Sequence, residues 1–427
     1  MSGQTVAQKV LARAAGLARV VPGQIVDARI DRIVVNENFH RMQRALVAAG
    51  FPDGFPRFAD LDRFHLMIEH FQPAQTAQEA GVVAGLRALV ARYGIRHFTD
   101  ATCGVMHRMV LEDIAIPGEL ALGNDSHSCA WGALNCAGTG MSEKDLIFAL
   151  ITGELWFKVP ATIRIALAGR PAPWLSSKDI VLHLAGNEGA GFGLYRALEF
   201  DGPGVAHLSV EARMGLATHA VELGAKFGLF PFDAAAEAFL AARPNGAARL
   251  AAARPVAADP DAAYERSIAV DLDALTPQVA VPHTIGNVHP VEAVAGEALT
   301  IAVIGSCANG HVEDLRAAAA VLRGRRVADG MRLFVQPSSW AVYRQSMREG
   351  LLETLLEAGA QVLSPGCHAC QGRQPALSAE DRCITSTTRN YRGRMGHAEA
   401  RIFLASPQTV AASALAGRIA DPREALR

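Results

Sequence analysis

Apolar and polar residues follow two rhythms in the last third of the chain. Short, nearly continuous apolar runs, typical of buried strands, are followed by longer segments with apolar residues three and four positions apart, typical of helices. The strand-like runs are LTIAVIGSC, MRLFVQPSS, AQVLSPGC and ARIFLASP, and the helix-like segments are HVEDLRAAAAVLRG and WAVYRQSMREGLLETLLEAG. This order predicts β–α–β units in a parallel sheet, with the chemistry at the carboxyl ends of the strands.

The first 235 residues carry the same two patterns, interrupted by glycine turns. Helices are predicted over TVAQKVLARAAGLA and EAGVVAGLRALVARYG, and strands within QIVDARIDRIVV, RFHLMIEHF, HFTDAT and LALGND. The alanine-, proline- and aspartate-rich segment 234–265 has no strand pattern, and we expect a surface excursion or linker there. The fold class is therefore α/β. We expect the main domain boundary between about 240 and 290, which divides the chain into two predicted regions, 1–285 and 286–427.

Composition narrows the function to small-molecule chemistry. The formal net charge of the 427 residues is -1, and Lys and Arg are scattered among acids, which argues against nucleic-acid binding. No run approaches the roughly 18 to 20 apolar residues that a membrane span requires. No secretory core is found near the start, so we expect a soluble, cytoplasmic chain without membrane attachment.

Seven cysteines, an odd number, argue against a disulfide framework and favour reduced thiols, some of them metal ligands. Cys367 and Cys370 lie in SPGCHACQG, which fits half a zinc site, a redox dithiol, two iron–sulfur ligands or buried structural thiols. Cys307, in GSCANG, ends another strand-like run. Three thiolates from two neighbouring strand ends can hold three irons of a cubane and leave the fourth open to substrate. Cys383 as a fourth ligand would close that site.

Three further cysteines, Cys103, Cys129 and Cys136, lie near histidines in the first half of the chain. They fit either packing thiols or a second metal site. Their helix-like or glycine-flanked settings favour packing.

Several motifs together resemble those of a known enzyme family. GSCANGHVEDLRAAA, SPGCHACQG, STTRNYRGRMG and FLASPQTVAASALAG, with DSHS upstream, are similar to the aconitase superfamily, most closely to the large subunits of 3-isopropylmalate dehydratase and homoaconitase-type enzymes. The resemblance runs over nearly the whole chain in matching order. It implies three aconitase-type α/β units around a [4Fe-4S] cluster held by Cys307, Cys367 and Cys370.

The resemblance also implies roles for the ionisable residues of the site. His70 would protonate the leaving hydroxyl, with its acidic neighbour Glu69 setting its tautomer and pKa. His107, Asp125 and His127 would organise water and hydroxyl at the open iron, and Glu222 would approach the same site. Arg389 and Arg394 in TTRNYRGR would bind substrate carboxylates, because guanidinium forks suit planar carboxylates; the alternative is a solvated basic loop.

Three positions depart from the family pattern. Glu69 stands where the family usually has Asp, and Thr218 and Thr388 stand where it commonly has Asn. A hydroxyl offers one donor where an amide offers two and an acceptor. With Ser126 and Asn309, these threonines would surround the site, so the departures bear on cluster tuning and substrate choice.

The resemblance implies a missing partner and leaves the substrate open. The family's swivelling domain, which contributes a serine base and an arginine, has no counterpart here, so we expect a separate small subunit in a heterodimer or larger assembly. The expected activity is a hydro-lyase acting on a hydroxy di- or tricarboxylate, first 3-isopropylmalate, with homoaconitate, citramalate or dimethylmalate as alternatives. Rival functions are a cluster-based iron or redox sensor that contacts RNA, and a zinc hydrolase.

Overall fold

The computed structural model describes residues 3–100 and 104–426, which form two compact units. Each unit is assembled from three chain segments. Unit 1 comprises Met1–Ile165, Tyr195–Asp201 and Ala225–Ile268, and unit 2 comprises Ala166–Leu194, Gly202–Gly224 and Ala269–Arg427. The organisation into regions 1–285 and 286–427 stays a prediction.

The strands of the described residues are mostly three to six residues long. In chain order they are β1 (Ile25–Arg29), β2 (Arg32–Val35), β3 (Phe64–Met67), β4 (His97–Thr99), β5 (Leu120–Gly123), β6 (Ala137–Gly140), β7 (Glu154–Lys158), β8 (Thr162–Ala168), β9 (Ala197–Asp201), β10 (Phe227–Leu229), β11 (Arg266–Asp271), β12 (Gln278–Ala280), β13 (Val288–Pro290), β14 (Ile301–Gly305), β15 (Arg332–Gln336), β16 (Ala360–Val362), β17 (Arg382–Thr385) and β18 (Arg401–Ala405).

The α-helices are α1 (Val6–Ala14), α2 (Phe39–Ala48), α3 (Ala77–Tyr93), α4 (Met106–Met109), α5 (Glu143–Thr152), α6 (Ser177–Glu188), α7 (Val210–Thr218), α8 (Ala234–Ala241), α9 (Gly246–Ala252), α10 (Val291–Val294), α11 (Ser306–Asn309), α12 (Val312–Leu322), α13 (Trp340–Arg348), α14 (Leu351–Glu357), α15 (Pro407–Ala416) and α16 (Pro422–Ala425). Helix α4 continues as a π-helix, Val110–Ile114, and 3₁₀ turns are found at Ser126–Leu134, Pro203–His207, Val221–Leu223 and Ala369–Gln371. The α/β class is confirmed.

Unit 1 is centred on a five-stranded parallel sheet in the order β4-β3-β2-β5-β6. Strand β2 is central, with Val34 opposite His65 of β3 and Gly123 of β5. Because all five strands are parallel, their carboxyl ends lie along one edge, where polar side chains meet without disturbing the apolar interior. A separate antiparallel ribbon pairs β1 with β7.

Helices α1, α2, α3 and α5 contribute to the apolar core of unit 1. Helix α1 begins with a capping box, since Thr5 and Gln8 cap each other's backbone N–H groups. The core around Phe39 is aromatic, with the Phe55 ring stacked on it at a centroid distance of 5.2 Å. Such rings bury large apolar areas and stabilise the sheet–helix layers.

Unit 2 contains a seven-stranded sheet in the order β13-β12-β18-β17-β14-β15-β16. The five strands from β14 to β18 are parallel, while β12 pairs antiparallel with both β13 and β18. The alternation predicted for the last third of the chain is confirmed in β14, β15, β16 and β18. Strand β17, inside DRCITSTTRN, was not predicted; it pairs with β14 and β18.

Helices α12, α14 and α15 bury apolar side chains in the core of unit 2. The segment WAVYRQSMREGLLETLLEAG forms two helices rather than one. Helix α13 ends at Arg348, and Gly350 is the N-cap of α14. Its φ of +70° is a left-handed conformation that glycine adopts without strain.

The segment predicted as a surface excursion or linker belongs to unit 1. Helices α8 and α9 form within it, and the Arg249 side chain of α9 is buried. The segment forms no strand, in agreement with its lack of a strand pattern, but alanine-rich helices lack that pattern as well. An unstructured linker is therefore wrong over these two helices, whereas their mostly exposed residues agree with the alternative of a surface excursion.

Four further strands pair in the order β10-β9-β8-β11. Along β8 and β11 the chain leaves unit 1 and continues into unit 2. Across the described residues, none of the helices has the length and apolar character needed to span a bilayer.

Candidate active site

Six ionisable side chains of unit 1 lie at the carboxyl edge of the five-stranded sheet. Glu37 follows β2, Glu69 and His70 follow β3, Asp125 and His127 follow β5, and His107 lies in α4. Parallel strands bring these separate segments to the same edge. The histidine group, as we call it, consists of Glu37, Glu69, His70, His107, Asp125 and His127.

His70 is held by Glu37, a residue that the sequence analysis missed. Its Nδ1 donates to Glu37 Oε1, while Glu37 Oε2 accepts the backbone N–H groups of Glu69 (2.9 Å) and His70 (3.3 Å). A carboxylate acceptor keeps the proton of the neutral ring on Nδ1 and leaves Nε2 for chemistry. The sequence clue was NEN, a polar triplet directly after the apolar run IVV.

Glu69, expected to set the tautomer of His70, makes different contacts. It accepts from Asn36 Nδ2 at 2.9 Å and from the backbone N–H of Met106 at 2.7 Å, and its Oε1 lies 3.6 Å from His70 Nδ1. The shorter bond from His70 goes to Glu37. The orienting role therefore belongs to Glu37, and Glu69 connects the end of β3 to the start of α4.

Asp125 binds both remaining histidines. His107 Nε2 donates to Asp125 Oδ1 at 2.9 Å, the backbone N–H of His127 donates to the same oxygen at 2.9 Å, and His127 Nδ1 lies 3.5 Å from it. Asp125 is also the N-cap of the 3₁₀ turn that begins at Ser126. This local cap explains why DSHS folds with its carboxylate and imidazole side by side.

The pKa values of the three carboxyl groups in the histidine group are shifted in different directions. Burial raises the pKa of Asp125, but hydrogen bonds from His107 and His127 outweigh burial and hold that pKa well below its ordinary value. Burial also opposes ionisation of Glu37, where His70 lowers the pKa below normal. For Glu69, burial dominates and raises the pKa. The group thus favours two ionised carboxylates beside imidazoles.

Unit 1 contains two overlapping sets of three potential metal ligands, and within each set the ligand atoms lie within 4.8 Å of one another. The sets are His107, Asp125 and His127, and Glu69, His70 and Asp125. Cys307, Cys367 and Cys370 form no such close set among the residues that the structure describes. One zinc ion at about 2.3 Å from its sulfurs would bring them within roughly 4 Å of each other. The thiols are therefore not arranged around a single zinc ion.

In unit 2 the candidate ligand cysteines follow the carboxyl ends of β14 and β16. We call Cys307, Cys367 and Cys370 the thiol group. Cys307 lies in α11, directly after Gly305 (φ +147°) and Ser306 (φ +78°). A Cβ on Gly305 would lie 2.3 Å from the Gln336 carbonyl oxygen, so only glycine allows this approach.

The thiols were predicted to follow two neighbouring strands. Strands β14 and β16 are not neighbours, because β15 lies between them. Gln336, the last residue of β15, fixes the cysteine loop. Its Oε1 accepts from the Ala369 N–H at 3.0 Å, and its Nε2 donates to the Ser364 carbonyl at 3.1 Å. Gln336 was also missed, although it ends the run RLFVQ.

Cys370 is surrounded by donors. Arg394 Nη2 lies 3.0 Å from its sulfur and Thr388 Oγ1 lies 3.3 Å away. Burial raises the pKa of this thiol, but the charge of Arg394 and hydrogen bonds from Thr388 and Arg394 lower it to about 7. The arrangement favours the thiolate, the form that binds metal.

The two predicted substrate arginines have different partners. Arg389 Nε donates to Glu222 Oε1 at 2.6 Å in a partly exposed pair. Arg394 contacts Cys370 and lies over the Tyr391 ring at 5.9 Å. The structure therefore brings Glu222 to Arg389, and Arg394 to a thiol.

The remaining predicted residues of unit 2 are buried near these elements. Thr218 ends α7, and Asn309 follows Cys307 in α11. Asn309 Nδ2 donates to Asp314 Oδ1 at 3.0 Å, and within the described residues no donor reaches its buried Oδ1. Ser126, half-buried in unit 1, offers its carbonyl to Cys129 Sγ at 3.9 Å.

The cysteines outside the thiol group behave as packing residues where they are described. Cys383 lies within β17 opposite Ile301, the first residue of β14. Four residue steps separate Ile301 from Gly305, so Cys383 is about 13 Å from the carboxyl edge along the strands. Burial raises the pKa of Cys383 and of Cys136. Cys103 lies outside the described residues.

Comparisons with known proteins agree with this architecture. The model of the aconitase family (aconitate hydratase) matches residues 62–299 and 290–417. A 3-isopropylmalate dehydratase large subunit from Oleidesulfovibrio alaskensis is 41% identical, with 98% of this chain and 99% of the relative covered. The 3-isopropylmalate dehydratase large subunit 1 of Pyrococcus furiosus is 39% identical, with both chains fully covered.

A solved structure shares the fold. The holo-form of Thermococcus kodakaraensis aconitase X matches with a TM-score of 0.52 at 11% sequence identity, over 92% of this chain and 93% of that one. The family expected from the ordered motifs is confirmed: the chain belongs to the aconitase family.

Proposed function

We propose that this chain is the large subunit of a hydro-lyase that dehydrates or isomerises a hydroxy-dicarboxylic acid of the 3-isopropylmalate type. The observation that carries the proposal is a set of three thiols after parallel strands, one of them held toward the thiolate by Arg394 and Thr388. The near-full-length relatives support the same activity.

The thiol group suits an iron–sulfur cluster. Cys307, Cys367 and Cys370 supply three soft sulfur donors, the ligand type that such clusters require, and the charged donor Arg394 stabilises the anionic form of Cys370. We propose that these residues hold a [4Fe-4S] cluster. When bound, the cluster would supply a Lewis-acidic iron that lacks a protein ligand.

The histidine group supplies proton transfer. Glu37 holds Nδ1 of His70, so Nε2 of the protonated imidazolium is the atom that would give a proton to a departing hydroxyl. This transfer would leave a neutral ring protonated on Nδ1, and Nε2 would take the proton back in the reverse direction. Asp125, kept ionised, fixes the orientation of His107 and His127. Both imidazoles would donate hydrogen bonds to oxygen atoms of the substrate or water.

Of the two arginines predicted to bind substrate, Arg389 would bind a carboxylate of the substrate. Arg389 is partly exposed, and Glu222 holds its Nε, which restricts the guanidinium before a ligand arrives. A preorganised fork loses less entropy when it binds a carboxylate. Arg394 would act mainly on the thiol group, because its nearest contact is Cys370.

We propose that a separate small subunit completes the enzyme and contributes the base that removes the carbon-bound proton. The relatives are described as large subunits, which supports this assignment. The substrate side chain would be read largely by that partner, so homoaconitate, citramalate and dimethylmalate stay alternatives to 3-isopropylmalate.

The test is an anaerobic reconstitution of the chain with iron and sulfide, with and without its small subunit, followed by hydration assays on each unsaturated acid. We expect turnover only in the mixture and the highest kcat/KM for the isopropylmalate pair. Full turnover by the large chain alone would contradict the two-subunit assignment. A higher kcat/KM for another acid would change the assigned substrate but leave the assigned reaction unchanged.

A further inference from the structure

Lys178, at the start of α6 in unit 2, is fully buried yet forms no ion pair with a carboxylate anywhere in residues 3–100 and 104–426. Its Nζ donates to His219 Nε2 at 2.7 Å and to the Thr387 carbonyl at 2.8 Å. His219 Nδ1 donates to the Gly215 carbonyl at 2.7 Å, so its Nε2 is an acceptor and the ring is neutral. The two groups that bind this buried ammonium directly are therefore neutral, and neither supplies a counter-charge in contact with it.

Both neighbours of Lys178 lead to the thiol group. Thr387, which accepts from Nζ, precedes Thr388, whose hydroxyl contacts Cys370 Sγ at 3.3 Å. On the other side, Ser177 Oγ lies 3.5 Å from Asn309 Nδ2, two residues after Cys307. Lys178 therefore contacts the segment after β17, which touches Cys370, while its neighbour Ser177 contacts α11, which carries Cys307.

Electrostatics agrees with this placement. Burial lowers the pKa of Lys178 to about 7, and the groups that oppose burial most are Cys370 and Cys307, ahead of Glu222 and Asp314. Neutral thiols would leave the charge uncompensated. Thiolates, and the more negative assembly that they form with a cluster, would supply the missing anion.

We propose that Lys178 is the counter-cation of the thiol group, a positioning residue whose buried charge stabilises the negative thiolate-ligated cluster and raises its reduction potential. The inference rests on the proposed iron–sulfur cofactor. Uptake of one electron from an added reductant makes the cluster assembly one charge more negative, and a nearby cation favours that form. Removing the cation therefore lowers the midpoint potential.

The test compares Lys178→Gln with the wild-type chain after anaerobic reconstitution. Glutamine keeps amide donors for His219 and Thr387 but removes the charge. The matched control is Lys226→Gln in unit 1, another largely buried lysine, whose Nζ lies 3.4 Å from the Gly140 carbonyl. Midpoint potentials are measured by electron paramagnetic resonance during redox titration, and the apo chains are unfolded in urea.

We expect Lys178→Gln to shift the potential to lower values and to lose iron faster to a chelator, while Lys226→Gln matches wild type. Failure of Lys178→Gln to take up a cluster, with apo unfolding like wild type, also supports the proposal. A cluster with the wild-type potential overturns it. If Lys178→Gln and Lys178→Met both fail to fold, the role is structural and the proposal is wrong. If the wild-type chain itself assembles no cluster, the proposed cofactor is wrong, and this outcome is distinguishable from a wrong role for Lys178 alone.

Discussion

Glu37 and His70 form a buried pair in which one carboxylate binds both the imidazole and the backbone of the segment after β3. Oε1 accepts from His70 Nδ1, and Oε2 accepts from the N–H groups of Glu69 and His70. The ring is therefore fixed in its tautomer and its position by a residue that follows a different strand, β2. General acid catalysis depends on both.

Glu37→Gln should abolish this orientation while leaving the thiol group intact. An amide can donate to Nδ1 and so favour the wrong tautomer, and we expect kcat to fall about 10²- to 10⁴-fold with little change in KM. Steady-state kinetics of the reconstituted enzyme, with iron content measured in parallel, provide the readout. Glu154→Gln, on the exposed face of β7, is the control. Wild-type kcat in Glu37→Gln would refute the role.

Arg249→Met should destabilise the segment that follows His107. The Arg249 guanidinium donates to the carbonyls of Leu111, Glu112 and Ala115 at the carboxyl end of the π-helix. These buried acceptors would lose their charged donor, at a cost of about 3 kcal/mol in the free energy of unfolding. Urea unfolding measures the loss, and exposed Arg254→Met should be neutral. Equal stability of the two variants would contradict this account.

Glu199 should make unit 1 less stable as pH rises. Burial raises its pKa from 4.5 to about 7, although the Ala7 N–H donates to Oε1 at 2.9 Å. Since the folded chain keeps a proton that the unfolded chain has lost, this contribution is fully present below pH 4.5 and disappears toward pH 7. The expected difference is about 3 kcal/mol.

Urea unfolding at pH 5 and pH 7.5 checks this prediction in Glu199→Gln, whose free energy of unfolding should vary less with pH than that of wild type. Part of the slope should persist, because burial also raises the pKa of Asp179 to about 7. Exposed Glu237→Gln is the control. The prediction fails if Glu199→Gln keeps the full slope.

Gly305→Ala should displace Cys307 and reduce cluster uptake. The added Cβ would meet the Gln336 carbonyl at 2.3 Å, and φ +147° is strained for alanine. Iron and sulfide per chain are the measurement. Gly330→Ala is the matched control, since its φ is also positive, at +79°, but no atom lies within 4 Å of the added methyl group. Normal iron content in Gly305→Ala would show that this approach is not needed.

The sequence predicted most of the parallel framework because buried strands and amphipathic helices leave local patterns. Strand β17 escaped prediction because RCIT is short and lies among polar residues, and the break at Gly350 depends on one left-handed residue. The helices of the alanine-rich segment were missed since alanine contributes helix propensity without amphipathic contrast.

The chemistry of the site was only partly readable from the chain. Cysteines at strand ends are recognisable in the sequence as candidate ligands. Glu37 reaches His70 only because β2 lies beside β3, and a local sequence pattern does not reveal the order of strands in a sheet. Lys178 resembles an ordinary residue of a helix N-terminus until folding buries it beside His219. Partners that come from distant segments were therefore the ones missed.

The central claim is that Cys307, Cys367 and Cys370, and no other cysteine, hold an iron–sulfur cluster. The most direct measurement is the iron, sulfide and zinc content of the anaerobically reconstituted chain and of its single Cys→Ser variants. We expect about four irons and four sulfides in wild type and in Cys383→Ser, and loss in each of the three ligand variants. Zinc in place of iron, or a full cluster in Cys307→Ser, would contradict the account.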